Sequence, residues 1–171
     1  MTSNIVNCSS VNIFKANLLT LPAFESPTVH QINVSQYIKV LKGHNGRLVT
    51  QFRLGLSPLR NELFTYNIIE NPFCPECGDR IENLKHFLFE CNTYCEPRTI
   101  LLNSITALCD YVSHEFNISL DSSNQSVITH LLTHGINLPQ SEDLTKINVN
   151  LVIFNHFSKY ISQTRRFVKI L

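Results

Sequence analysis

Four residues constrain this chain more than any other feature does: Cys74, Cys77, His86 and Cys91, spaced as Cys-x2-Cys-x8-His-x4-Cys. A tetrahedral divalent ion such as zinc takes four soft-to-borderline ligands, and a Cys-x2-Cys turn places two sulfurs on neighbouring corners. Gly78 lets the backbone after the second cysteine swing its amides back towards the thiolates. Asn83 is positioned to cap a short helix from Leu84 to Glu90, which presents His86 in its first turn and delivers Cys91 at its end. Five residues rotate an ideal helix to about 140° away, so Cys91 must lie where that helix unwinds. Cys95, four residues further on, is the alternative fourth ligand. A redox dithiol is the other reading of Cys74 and Cys77, but the buried strand that should precede such a site is missing. Four protein ligands leave no position for a metal-bound water, which points to a structural ion and not to hydrolysis.

The rest of the chain reads as mainly α, a helical domain stapled by this one small loop. Apolar residues Leu101, Ile105, Leu108, Val112 and Phe116 recur at three to four after Pro97 and line one helix face. Asn124 to His134 is a shorter helix closed by Gly135. A last helix begins after Ser141 and carries Leu144, Ile147, Leu151, Phe154, Phe157 and Ile161 along one stripe. Ser35 to Lys42 ends at Gly43, and Arg47 to Leu54 ends at Gly55. Ser57-Pro58 predicts an N-cap followed by a helix through Tyr66. Asn45-Gly46 is the one hairpin-like dipeptide. Residues 1–40 read as a lead-in, and 41–171 as the helical domain, with the zinc-binding module at about 70–98.

Hydrophobic residues at 43% and charged residues at 16% of 171 positions exclude a disordered tail. No apolar run is long enough to span a membrane, and the N-terminus lacks the basic start of a secretory signal. An intracellular setting, nucleus or cytoplasm, follows as the expectation, with cysteines serving as metal ligands or buried thiols. The net charge of +1 hides a segregation: twelve acids between Glu62 and Asp143 face only Arg80, Lys85 and Arg98. Basic residues flank this centre, with Lys42, Arg47, Arg53 and Arg60 before it and Arg165 and Arg166 after it. Those six are the candidate contacts to an RNA or DNA backbone. The zinc block itself, with six acids and three bases from Glu70 to Arg98, should repel phosphate. No catalytic residues are assigned: His130 and His134 lack the glutamate of a zinc protease, and no phosphate-binding glycine loop or nucleophile elbow is present.

Three stretches carry a family resemblance: Phe52 to Leu59, Tyr66 to Gly78, and Lys85 to Cys91 with Tyr94 and Arg98. Together they resemble the zinc-binding region that follows the polymerase in animal non-LTR retrotransposon reverse transcriptases. The tail from Phe157 to Phe167, with Thr164-Arg165-Arg166-Phe167, is similar to the way many such proteins end. The resemblance implies Cys74, Cys77, His86 and Cys91 as ligands of zinc, and a module that helps to hold template RNA or target DNA. Its other implied partner is the polymerase region of a related element. The Tyr-x-Asp-Asp-type polymerase motif and any endonuclease are missing, so no reverse transcription is expected of this chain. The alternative is a structural or protein-interaction domain, a remnant that once packed on a polymerase, with an exposed apolar patch.

Overall fold

A computed structural model describes residues 41, 43–138 and 148–168, and its regular elements are helical. The α-helices are α1 (Gly43–Arg53), α2 (Arg60–Thr65), α3 (Cys95–Phe116), α4 (Gln125–His134) and α5 (Val149–Thr164). A π turn, His86–Glu90, and a 3-10 turn, Asn92–Tyr94, lie between α2 and α3. Among the described residues the only strand-like feature is an isolated antiparallel bridge between Phe73 and Ile81. The mainly α expectation therefore holds, with the metal-ligating loop inserted between α2 and α3.

α5 is the axis of the core. It packs against α3, α1 and α4, burying Ile153, Phe154, Phe157, Tyr160 and Ile161. α3 contributes Leu101, Ile105, Cys109 and Val112 on the face that its periodicity predicts. Burying each such side chain removes apolar surface worth about 1.5–3 kcal/mol from water. The start of α5 at Val149 is fixed by Asn148, whose side chain accepts a hydrogen bond from the Leu151 amide at 3.1 Å. Leu144 and Ile147, part of the expected stripe, lie outside the described residues, as do 1–40 and Lys42.

Local chemistry sets α4 at both ends. Asn124 accepts from the Ser126 amide at 2.9 Å, and Gly135 closes the helix at φ 79°, ψ −158°, a region open essentially to glycine alone. A Cβ at Gly135 would also strike the Asn150 side-chain oxygen. Asn150 there accepts from the Ile136 amide at 2.7 Å and donates to the Ile136 carbonyl at 2.9 Å. Gly135→Ala is expected to cost about 1–3 kcal/mol or more, since strain and a displaced Asn150 add. A denaturation midpoint unchanged from wild type would contradict that.

One hairpin-like signal is overridden and one local expectation is corrected. Asn45-Gly46 sits inside α1, not in a hairpin, because Leu48, Val49 and Phe52 drive the whole segment onto α5. Gly46 is needed there because any side chain would collide with the Leu41 backbone. Ser57-Pro58 does not start α2. The helix begins at Arg60, after Leu59 in extended backbone (φ −74°, ψ 149°), since Leu59 is drawn fully into the core. Its opening amides find their acceptors on another element: Arg60 N–H donates to the Glu82 carboxylate at 2.9 Å and Asn61 N–H to the Glu82 carbonyl at 3.1 Å.

Candidate metal centre

The bridge between Phe73 and Ile81 organises the first half of the site. Cys74 N–H donates to the Arg80 carbonyl at 2.8 Å and Glu82 N–H to the Pro72 carbonyl at 2.9 Å. These bonds flank Phe73 and Ile81, which makes them a non-hydrogen-bonded pair with side chains close on one face. That face looks outward: Phe73 is 46% and Ile81 44% exposed. The next residue on each arm, Cys74 and Glu82, points inward and is buried. Gly78 N–H, donating to the Cys74 carbonyl at 2.8 Å, closes the turn that carries Cys77.

The second half is a capped turn. Asn83 Oδ1 accepts from the His86 amide at 2.8 Å, as an N-cap should. From His86 the backbone widens into the π turn, in which Cys91 N–H donates to the His86 carbonyl, five residues back, at 2.9 Å. The backbone then leaves the helix at Cys91 (φ −63°, ψ 119°). The unwinding expected from the five-residue spacing takes this form, and it brings Cys91 back over His86. Arg98, buried in the first turn of α3, holds the turn open-ended: Nε donates to the Leu88 carbonyl at 2.9 Å and Nη2 to the Cys91 carbonyl.

One ligand atom each from Cys74, Cys77, His86 and Cys91 lies within 4.8 Å of all the others. Cys74 Sγ and Cys91 Sγ are 3.9 Å apart, and Cys77 Sγ and His86 Nε2 3.4 Å. A tetrahedron with metal–sulfur bonds of about 2.3 Å and metal–nitrogen bonds of about 2.0–2.1 Å has corresponding edges of about 3.8 and 3.6 Å. The four residues therefore fit one ion. Cys95, the alternative fourth ligand, starts α3 and is not in the cluster.

Burial pushes the Cys74 thiol up to about 12 and raises Cys91 as well, while it lowers His86. Without a cation, Cys74 and Cys91 therefore favour the neutral thiol and His86 the neutral imidazole, and a bound metal would stabilise the thiolates it needs. His86 Nδ1 is buried with no hydrogen-bond partner, and the nearest carboxylate, Glu90, is 3.9 Å away. Glu90 is itself held by Lys85 at 3.0 Å and Arg80 at 3.5 Å. Metal-bound histidines commonly give their second N–H to such a carboxylate. Glu90→Ala is expected to weaken metal binding about 10–100-fold; undiminished affinity in a chelator competition would remove Glu90 from this role.

No family model, curated protein or solved structure matches this chain.

The candidate nucleic-acid residues are distributed unevenly. Arg47 and Arg165 are exposed. Arg60 reaches the Asn71 carbonyl at 3.3 Å through Nη1. Arg53 donates to the Thr133 carbonyl at 3.1 Å and lies over the Phe154 ring, 4.3 Å from its centroid. Arg166, only partly exposed, packs against Glu82 with N···O distances of 2.5 and 2.7 Å. Lys42 lies outside the described residues. Among the described residues no helix is long and apolar enough to cross a membrane.

Sequence reasoning did not single out Glu82, Glu90 or Tyr160 as parts of this site. Tyr160 donates its hydroxyl to the Phe87 carbonyl at 2.5 Å, tying the π turn to α5. No spacing rule announces that contact, because its partners are 73 residues apart.

Proposed function

We propose that this chain is a zinc-binding, non-catalytic module of the kind that follows the polymerase in non-LTR retrotransposon reverse transcriptases. The observation that carries the reading is the convergence of Cys74, Cys77, His86 and Cys91, the positions implied by the resemblance, into one ligand set within 4.8 Å. Zinc suits it: three thiolates and an imidazole at tetrahedral separations are a usual structural zinc site. A donor set filled by protein leaves the ion no open position for a substrate or water, so its work is to fix the loop on the helical body.

The surface favours docking to protein. None of the residues of α2 is buried, and Phe64, Tyr66 and Ile68 in and after it are 44–65% exposed. Leu54 and Leu56 before α2, and Phe73 and Ile81 at the isolated bridge, are exposed as well. In this reading these apolar side chains once faced the polymerase region of a related element.

A second reading, RNA or DNA binding, rests on Arg47 and Arg165. His44 Nε2 lies 3.3 Å from the Phe167 carbonyl, which brings the start of α1 beside the turn that carries Arg165. Metal analysis of protein purified without added zinc tests the first claim, with about one zinc per chain expected; none would refute it. Salt separates the two partners. Phosphate contacts weaken steeply between about 50 and 200 mM salt, whereas apolar docking hardly changes.

A further inference from the structure

Glu82 is fully buried, and its carboxylate oxygen Oε1 lies 4.0 Å from the Sγ of Cys74. That is an unfavourable place for an anion. Three thiolates around a divalent ion sum to −1, and like charges about 4 Å apart repel strongly where water is excluded. The structure places one compensating cation there. Arg166, whose side chain is 10% exposed, meets Glu82 with both prongs of its guanidinium: Nε to Oε1 at 2.5 Å and Nη2 to Oε2 at 2.7 Å. The residues are 84 apart in sequence. The same carboxylate also accepts the Arg60 amide that opens α2, at 2.9 Å. Glu82 is thus a junction of the first ligand, the start of α2 and the turn after α5.

We propose that Arg166 is a charge-balancing, positioning residue of the metal centre, and that seating of the turn Arg165 to Val168 and metal binding support each other. The inference rests on the metal-binding reading above. The turn is seated at three points: Arg166 on Glu82, the buried Phe167 ring against Phe52 and Phe87 at 6.0 and 5.6 Å, and the Phe167 carbonyl beside His44. Phe87 is the residue directly after the ligand His86, so the turn touches both halves of the site. Coupling between two binding events is reciprocal: whatever factor the seated turn adds to metal affinity, the metal adds to seating. Arg166 is accordingly assigned to the metal centre and not to a nucleic-acid surface.

The test measures zinc affinity of the full chain by competition with a chelating indicator. Arg166→Gln leaves Glu82 uncompensated beside Cys74 and is expected to weaken zinc binding about 10–100-fold, the range for supporting residues around a metal. Glu82→Gln removes the repelling charge while keeping an acceptor for Arg60, and should hold affinity within about threefold of wild type or tighten it. The double variant Glu82→Gln/Arg166→Gln should return affinity to within about tenfold of wild type, because the net charge around the ion is then the same as in wild type. Arg166→Lys should bind more tightly than Arg166→Gln, since the charge stays while the two-pronged geometry goes. If Arg166→Gln cannot be obtained folded, the lysine and double variants decide alone. Wild-type-like affinity in Arg166→Gln overturns the proposal, and so does a double variant no better than the single one, which would mean a purely structural turn. A wild-type chain that binds no zinc overturns the metal reading itself, and this inference with it.

Discussion

Removing the metal, by chelation or by Cys91→Ser, is expected to lower the melting temperature of this chain by about 8–16 °C. The regular backbone structure within the loop from Pro72 to Cys91 is one isolated bridge, a cap and a single π turn, and its other anchors, such as Phe87 and Glu82, fasten each half to the helical body rather than to the other half. Its outward pair, Phe73 and Ile81, stays half exposed and adds little burial. In the proposed reading, the ion joins the two halves of the loop. Structural sites of this kind make metal binding and folding one process. With zinc a thousandfold above its dissociation constant, the linkage is worth about 4.1 kcal/mol. For a chain of this size each kcal/mol moves the midpoint by about 2–4 °C. Cys109, buried and outside the cluster, is the control: Cys109→Ser is expected to perturb α3 packing while leaving metal content unchanged. A chelated protein that melts with the loaded one would show that the four ligands are not a structural site.

What was legible in the sequence was local. The ligand set could be read because a Cys-x2-Cys turn and a capped short helix each fix two donors within a few residues. α4 could be read because Asn124 and Gly135 carry the chemistry of its ends. Contacts between distant segments were not legible. Asn45-Gly46 has the composition of a turn, yet burial of Leu48, Val49 and Phe52 overrides that preference. The cap of α2 comes from Glu82, a residue of another loop, so Ser57 could not reveal where the helix starts. The basic flanks illustrate the same limit. Counting charge puts Arg53 and Arg166 on the surface, whereas the fold turns one onto Phe154 and Thr133 and the other onto Glu82.

Phe87→Ala is expected to cost about 3–5 kcal/mol, the range for emptying a buried aromatic site, without removing any metal ligand. Phe87 is where the loop enters the helical body. Its ring is fully buried and lies 5.6 Å from Phe52, 5.5 Å from Tyr94, 5.2 Å from Tyr160 and 5.6 Å from Phe167. These partners come from α1, the 3-10 turn, α5 and the turn after α5. Edge-to-face pairs at these separations add about 0.5–1.5 kcal/mol each beyond burial. The backbone of Phe87 is anchored too, through the Tyr160 hydroxyl, and the alanine variant keeps that bond. Because the change falls one residue after His86, it separates two roles that the wild type fuses. If the ion organises the loop and Phe87 docks it, the variant keeps one metal per chain while its urea midpoint drops sharply. A loss below about 1 kcal/mol would mean that the body is held by α1, α3 and α5 alone, with the metal loop an appendage. Loss of the metal together with stability would mean instead that docking creates the site, and that the ligands converge only when the aromatic cluster holds them.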